Sequence, residues 1–315
     1  MTKKIAIRDA YGQALEKLGE KNAEVVVLEA DVGNSTKSIL FGKKFPERYF
    51  NVGIAELNMT AMAAGLALDG FIPFVNTFAA FLTTRAADPI NSLIAYDHLN
   101  IKLCGAYSGL SDSYDGASHH ASGDMAFLRT LPDFTILSVC DAVEAEKAVF
   151  AAAEINGPVY LRLSRAPLPV IYSEDCDFQI GKGVILREGT DAAIIATGSM
   201  VHKAIEASES LQKKGISVRV VDIHTVKPID RDLILDCASV CGAIITAEEH
   251  SVCGGLGSAV VEVLSETNPV LVERIGLSAF SESGDYEQLL KRKGLDAETI
   301  CRRVEKVLAR KYAFR

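Results

Sequence analysis

The sequence predicts an α/β protein made of two doubly wound domains. Three observations lead there. The chain has 315 residues, more than one ordinary core holds. Short apolar runs alternate with amphipathic stretches from end to end, the pattern of parallel sheets covered on both faces by helices. The alternation pauses once, at residues 173–189, where charges are scattered and three glycines occur.

In order, strands are expected at residues 24–30, 71–76, 100–107, 135–140 and 158–163. Helices are expected near residues 6–19, 55–68, 78–96 and 142–155. After the pause come strands at 192–198, 217–224, 243–249 and 269–277, again interleaved with helical patterns, and an amphipathic helix at 297–310. The expected domains are residues 1–172 and 190–315, joined by a linker at 173–189. The sequence shows no internal repeat, so the two domains are distinct units and the second is the smaller.

The composition, 49% hydrophobic and 23% charged, is that of a globular protein. The net charge is −8 and the basic residues are scattered, which argues against a nucleic-acid partner. An acidic balance leaves room for a phosphorylated substrate, since one local pair of arginines binds phosphate. Neither a cleavable leader nor a bilayer-spanning run is read in the sequence. The seven cysteines (104, 140, 176, 237, 241, 253 and 301) form no Cys-x-x-Cys pair. Reduced thiols in a cytoplasmic protein are expected, with no disulfide framework and no metal site in this chain.

In such sheets, ligands sit in loops beyond the carboxyl ends of strands. Four stretches qualify. In Asn51-Val52-Gly53-Ile54-Ala55-Glu56 a short strand meets a glycine and a helix opens on Glu56; alone, such a carboxylate merely suits the helix dipole. Phe78 and Phe81 follow a strand at helical spacing, which alone reads as core. Residues 107–120, from Tyr107 through Asp115 to His119 and His120, form a long polar loop holding two of six histidines. Paired histidines beside an aspartate offer proton transfer near neutral pH. Arg162 and Arg165 flank a strand end and suit either a phosphate or a surface salt bridge. Gly254-Gly255-Leu256-Gly257-Ser258 opens a helix but lacks the dinucleotide fingerprint.

In this order and spacing, the stretches resemble the thiamine pyrimidine-binding domain of the transketolase family. Val226-Lys227-Pro228-Ile229-Asp230, Glu248-Glu249-His250 and Ser283-Gly284-Asp285 look like the family's carboxy-terminal domain. The resemblance implies the carboxy-terminal subunit of a two-subunit transketolase, which moves a two-carbon ketol unit between phosphorylated sugars. It implies thiamine diphosphate as cofactor. Glu56 would then hydrogen-bond a pyrimidine nitrogen and assist proton loss from the thiazolium, with Phe78 and Phe81 holding the ring. Asp115 and His119 would meet sugar hydroxyls, His119 acting with Glu56 in catalysis. Arg8, Ser35 and Arg165 would surround the sugar phosphate.

Tyr107 stands where most of the family has a histidine that contacts this phosphate. Tyrosine donates a hydrogen bond but never becomes cationic. His120, where glutamine is common, is a second departure, and both point to an altered acceptor. The family holds magnesium through a Gly-Asp-Gly stretch, which this sequence lacks. The metal and diphosphate half is therefore expected on an N-terminal partner subunit, with two copies of each chain assembling. The β subunit of a 2-oxoacid dehydrogenase and deoxyxylulose-phosphate synthase share this domain plan. The Asp115–His119 stretch and Arg8 favour the sugar-phosphate reading. Retention of Glu56, Phe78 and His119 together argues against a non-enzymatic scaffold.

Overall fold

The computed structural model describes residues 3–313, so the outermost limits of the expected domains, residues 1–2 and 314–315, lie outside the described residues. The first sheet has seven strands. Their spatial order is Thr225–Lys227, Thr135–Ser138, Val159–Leu163, Lys102–Ala106, Ile72–Phe78, Val25–Glu29 and Tyr49–Asn51. The last six run parallel. Five of these, all except Tyr49–Asn51, are buried along their whole length, which is why they read as unbroken apolar runs.

The helices Ile7–Lys21 and Ala142–Glu154 pack on one face of this sheet, through residues such as Tyr11, Leu15, Ala145 and Val149. Glu56–Leu68 and Ala79–Arg85 contribute Met59, Ala63 and Leu82 to a second core on the other face.

The second sheet orders Leu271–Leu277, Ala243–Ser251, Ala192–Ala196, Val218–Asp222 and Val184–Arg187. The first four are parallel and the last is antiparallel. Met200–Gln212 and Ala297–Ala313 cover one face, Arg231–Cys241 and Leu256–Thr267 the other. No helix among the described residues is long and apolar enough to cross a membrane.

Three local expectations change. Residues 78–96 do not form one helix. Phe78 ends the preceding strand, the helix Ala79–Arg85 stops at Ala86, and a π-helical turn, Ile90–Ala95, follows. Pro89, which has no amide hydrogen to donate, sits in this break. The segment 173–189 is not structureless either: Val184–Arg187 lies inside it as the edge of the second sheet. Its half-buried side chains hide it from a periodicity reading. Finally, Thr225–Lys227 leaves the second unit and pairs antiparallel with Thr135–Ser138 of the first sheet.

The two units are bolted together by buried charge. Arg162, at the end of Val159–Leu163, binds Asp124 through Nε at 2.7 Å, and both side chains are buried. Its Nη2 also donates to the carbonyls of Ala121 at 3.1 Å and Glu249 at 2.9 Å. Tyr160 donates a further bond to Asp124 at 2.7 Å. Burial depresses His250 to about 4, leaving a neutral ring whose Nδ1 donates to the Ser251 carbonyl at 2.8 Å. Arg162 is thus a buried structural ion, its Nε and Nη2 both engaged within the protein.

The glycine-rich turn is likewise spoken for. The Glu248 carboxylate accepts the amides of Leu256 at 2.7 Å and Gly257 at 2.8 Å, filling the anion cradle of that helix from within.

Replacing Arg162 by Ala leaves the buried Asp124 charge without its cation, so a loss of about 3–5 kcal/mol is expected in urea unfolding. The pair Arg162→Ala with Asp124→Ala should cost less than the sum of the two single changes. Additive costs would show that the two charges do not act as a pair.

Candidate active site

Several strands and two helix starts deliver side chains to one edge of the first sheet. Glu29 ends Val25–Glu29 and organises the loop behind it. Its Oε1 accepts the amides of Ala30 at 3.0 Å and Val32 at 3.1 Å. Its Oε2 takes the hydroxyls of Thr36 at 2.8 Å and Ser38 at 2.5 Å. Burial raises Glu29 to about 7 despite these donors. The loop so held presents Ser35, whose backbone carbonyl accepts Arg8 Nη1 at 3.1 Å. Ser35 therefore contributes to the arginine's placement through its main chain.

Tyr107 lies one residue beyond Lys102–Ala106 with φ of 60°, a left-handed conformation that bulky side chains rarely adopt and that concentrates at functional sites. That turn lays its ring on Phe78, with centroids 4.4 Å apart and planes 12° from parallel. Its hydroxyl receives Arg8 Nη1 in a short hydrogen bond. The guanidinium groups of Arg8 and Arg165 lie 5.2 and 5.1 Å from the Tyr107 ring centroid. Arg8 Nε is buried and has no partner among the described residues. Arg165 Nη1 meets Asp112 Oδ1 at 2.9 Å.

On the other side of Phe78, Phe81 lies at 5.7 Å and meets the His119 ring edge-on at 4.9 Å. His119 Nδ1 is 3.0 Å from the Ser118 hydroxyl. Glu56, the first residue of its helix, is only 4% exposed and pairs with Arg85 at 2.6 Å. The positive φ of Gly53 permits the turn that aims this helix start. The Arg85 guanidinium in turn lies 3.8 Å from the Phe81 centroid.

One continuous surface results. It runs from Glu56 through Arg85 and Phe81 to Phe78 and His119, then through Tyr107 to Arg8 and Arg165. Asp115 stands apart from the aromatics. It is exposed, and one of its carboxylate oxygens lies in a cluster with Asp112 and His119 whose contributing atoms are all within 4.8 Å of one another. His120 turns inward, its ring nitrogens buried without partners, and burial lowers its basicity.

Two residues of this surface escape the sequence reading. Asp112 is fully buried and is raised to about 6 by burial and by Asp115, against the pull of Arg165 and His119. Its place three residues before Asp115 in the same loop is the signal that was there to find. Arg85 carries no such signal, because only the fold brings it to Glu56. The arrangement offers a buried carboxylate, an aromatic wall, an imidazole beside two carboxyls, and two cations at the far end.

Known proteins match this chain along its length. Residues 3–170 match the family model "Transketolase, pyrimidine binding domain" and residues 181–300 match "Transketolase, C-terminal domain". A protein of Methanocaldococcus jannaschii described as a transketolase C-terminal section is 42% identical over 303 residues, covering 95% of each chain. The 6-deoxy-6-sulfo-D-fructose transketolase subunit of a Clostridium strain is 39% identical, covering 97% of this chain and 95% of its own. A split-gene transketolase solved as an inactive β4 tetramer superposes with TM-score 0.89 at 46% identity, over 97% of this chain and 98% of that one. Against the rat transketolase, by contrast, the match spans 49% of the relative's length. The chain belongs to the transketolase family, of which it carries the pyrimidine-binding and C-terminal domains.

Proposed function

We propose that this chain is the C-terminal subunit of a thiamine-diphosphate-dependent transketolase that transfers a two-carbon ketol unit between phosphorylated sugars. The observation that carries the reading is the surface from Glu56 to Arg8, which joins a proton-handling end to an anion-binding end across an aromatic wall. Arg85 supports the fit of the cofactor: a planar, nitrogen-bearing group already lies against Phe81 with its edge on the Glu56 carboxylate, and an aminopyrimidine has the same two needs. When bound, thiamine supplies the carbon nucleophile and electron sink of ketol transfer.

The chain's own residues do the rest. Glu56 holds a proton at its carboxyl oxygen against a ring nitrogen, shielded from water by its burial. Phe78 and Phe81 orient the ring by stacking. His119, with Asp112 and Asp115 beside it, exchanges protons with sugar hydroxyls. Arg8 and Arg165 hold the terminal anion, with Tyr107 as a neutral donor between them, and the unpartnered Arg8 Nε remains available to it.

The need for a partner rests on two features. The sequence lacks the family's Gly-Asp-Gly metal stretch, so the diphosphate and magnesium are held by an N-terminal subunit. The helix that begins with Glu56 also leaves apolar side chains in the open, with Leu57 54% and Leu68 74% exposed and Ile54 before it 74% exposed. An apolar patch of this kind beside a site marks a docking face. Two copies of each chain close the assembly symmetrically. The seven unpaired cysteines suit a reducing cytoplasm.

With the chain combined with its N-terminal partner, Glu56→Gln should fold normally yet lose at least about 10²-fold in turnover, because an amide holds the ring but cannot pass the proton. Turnover near that of the wild type would reduce Glu56 to a helix-end carboxylate.

Truncating Arg8 or Arg165 to Ala should raise KM for phosphorylated sugars with kcat little changed, since this remote contact is made in ground and transition states alike. The expected loss is about 1.5–3 kcal/mol, the scale of a hydrogen bond to a charged group. Tyr107→His should shift preference toward pentose and tetrose phosphates in a panel that includes a sulfonated acceptor. An unchanged preference profile would mean that acceptor choice is set elsewhere.

A further inference from the structure

Among the described residues the second domain puts no side chain on the aromatic surface, yet one of its carboxylates reaches the loop that carries Asp112, Asp115 and His119. Glu249 lies in the Ala243–Ser251 strand and is 2% exposed. Its Oε1 accepts the backbone amide of Leu110 at 2.5 Å, across the domain boundary. Its Oε2 is fixed by the Tyr286 hydroxyl at 2.6 Å and by the hydroxyl of Ser199. Leu110 follows Gly109, whose φ is 61°. A Cβ at position 109 would collide with this same carboxylate, so glycine is required there both for backbone conformation and for space.

Backbone contacts extend the clamp. Gly109 and Ala121 close the loop on itself, with amide-to-carbonyl distances of 3.2 and 2.9 Å, and the Ser251 amide meets the Ser122 carbonyl at 2.8 Å. At the far side, the Gly284 amide bonds the Ser113 carbonyl at 2.9 Å. The loop's start, end and middle are therefore held by residues 249, 251 and 284 of the second domain. Of the side chains it displays, His119 meets Phe81 of the first domain, and Asp115 is exposed beside Asp112 and His119.

We propose that Glu249 is a positioning residue for the sugar, setting through the Leu110 amide the register of the loop that bears Asp112, Asp115 and His119. This rests on the ketol-transfer reading above. The cofactor residues Glu56, Phe78 and Phe81 are carried by other elements, and the loop's His119 meets Phe81 edge-on at 4.9 Å. Losing it should thus disturb the sugar and leave the cofactor alone.

The test compares Glu249→Ala and Glu249→Gln in the full chain. Gln keeps an oxygen for the Leu110 amide, and the Ser199 and Tyr286 hydroxyls can reverse to accept from its NH₂. In the complex with the N-terminal partner, Glu249→Ala should raise the sugar KM by about ten- to a hundredfold, the scale of a misplaced positioning group. The dissociation constant of thiamine diphosphate should stay unchanged, and Glu249→Gln should restore most of the sugar KM. In the chain alone, amide hydrogen exchange at Leu110 and through the loop should quicken in Glu249→Ala, while the Val25–Glu29 strand keeps its protection.

Unchanged exchange at Leu110 overturns the proposal. So does a uniform loss of protection with weakened cofactor binding, which would mark Glu249 as ordinary core. If the wild-type complex transfers no ketol unit, the functional reading fails by itself. The exchange measurement in the lone chain then decides whether Glu249 holds the loop.

Discussion

The whole arrangement depends on one buried guanidinium. Arg162 gathers Asp124, the Ala121 carbonyl and the Glu249 carbonyl around itself, and so ties the end of the polar loop to a strand of the second sheet. A charge so far from water is tolerated only when paired, so these contacts hold the loop and the strand against each other. The Ala121 contact fixes the end of the polar loop. The Glu249 contact brings the second sheet against it, and the Asp124 contact seats the short helix Asp124–Arg129.

Outward from Arg162, the polar character of the molecule changes in steps. Beside it, His250 is kept neutral by burial, a group suited to structure. Two segments away, Asp112 is raised to about 6 and faces Arg165 and His119, close enough to neutrality to trade protons. Further out, Arg8 and Arg165 are only half-buried, and Arg8 keeps its Nε without a partner among the described residues. The gradient runs from fully satisfied, immobile charge to partly solvated, usable charge. The second domain acts from the satisfied end, through the backbone of the loop that carries Asp112, Asp115 and His119.

What was legible in the sequence is what local patterning encodes. Strands buried on both faces announce themselves as apolar runs, and the residues just past their carboxyl ends were the ones worth naming. Arg8, Ser35, Glu56, Phe78, Phe81, Tyr107 and Arg165 do lie together, and Asp115 and His119 share their loop. Illegible features have long-range causes. Val184–Arg187 is an edge strand without clean alternation, and Thr225–Lys227 crosses to a sheet it does not precede. Arg85 finds Glu56, and Glu249 finds Leu110, only once the chain has folded. Arg162 and Arg165 are three residues apart and look equivalent in sequence. Arg162 lies inside the strand and is buried, while Arg165 lies beyond its end and is half-buried.

On the proposed function, this chain holds half of a cofactor site. The most direct measurement is calorimetric titration of thiamine diphosphate, with magnesium present, into the chain alone, its N-terminal partner alone, and the two mixed in equal amounts. Tight, saturable binding is expected in the mixture only. Binding of the same affinity to this chain by itself would contradict the claim, because no partner would then be needed to hold the diphosphate.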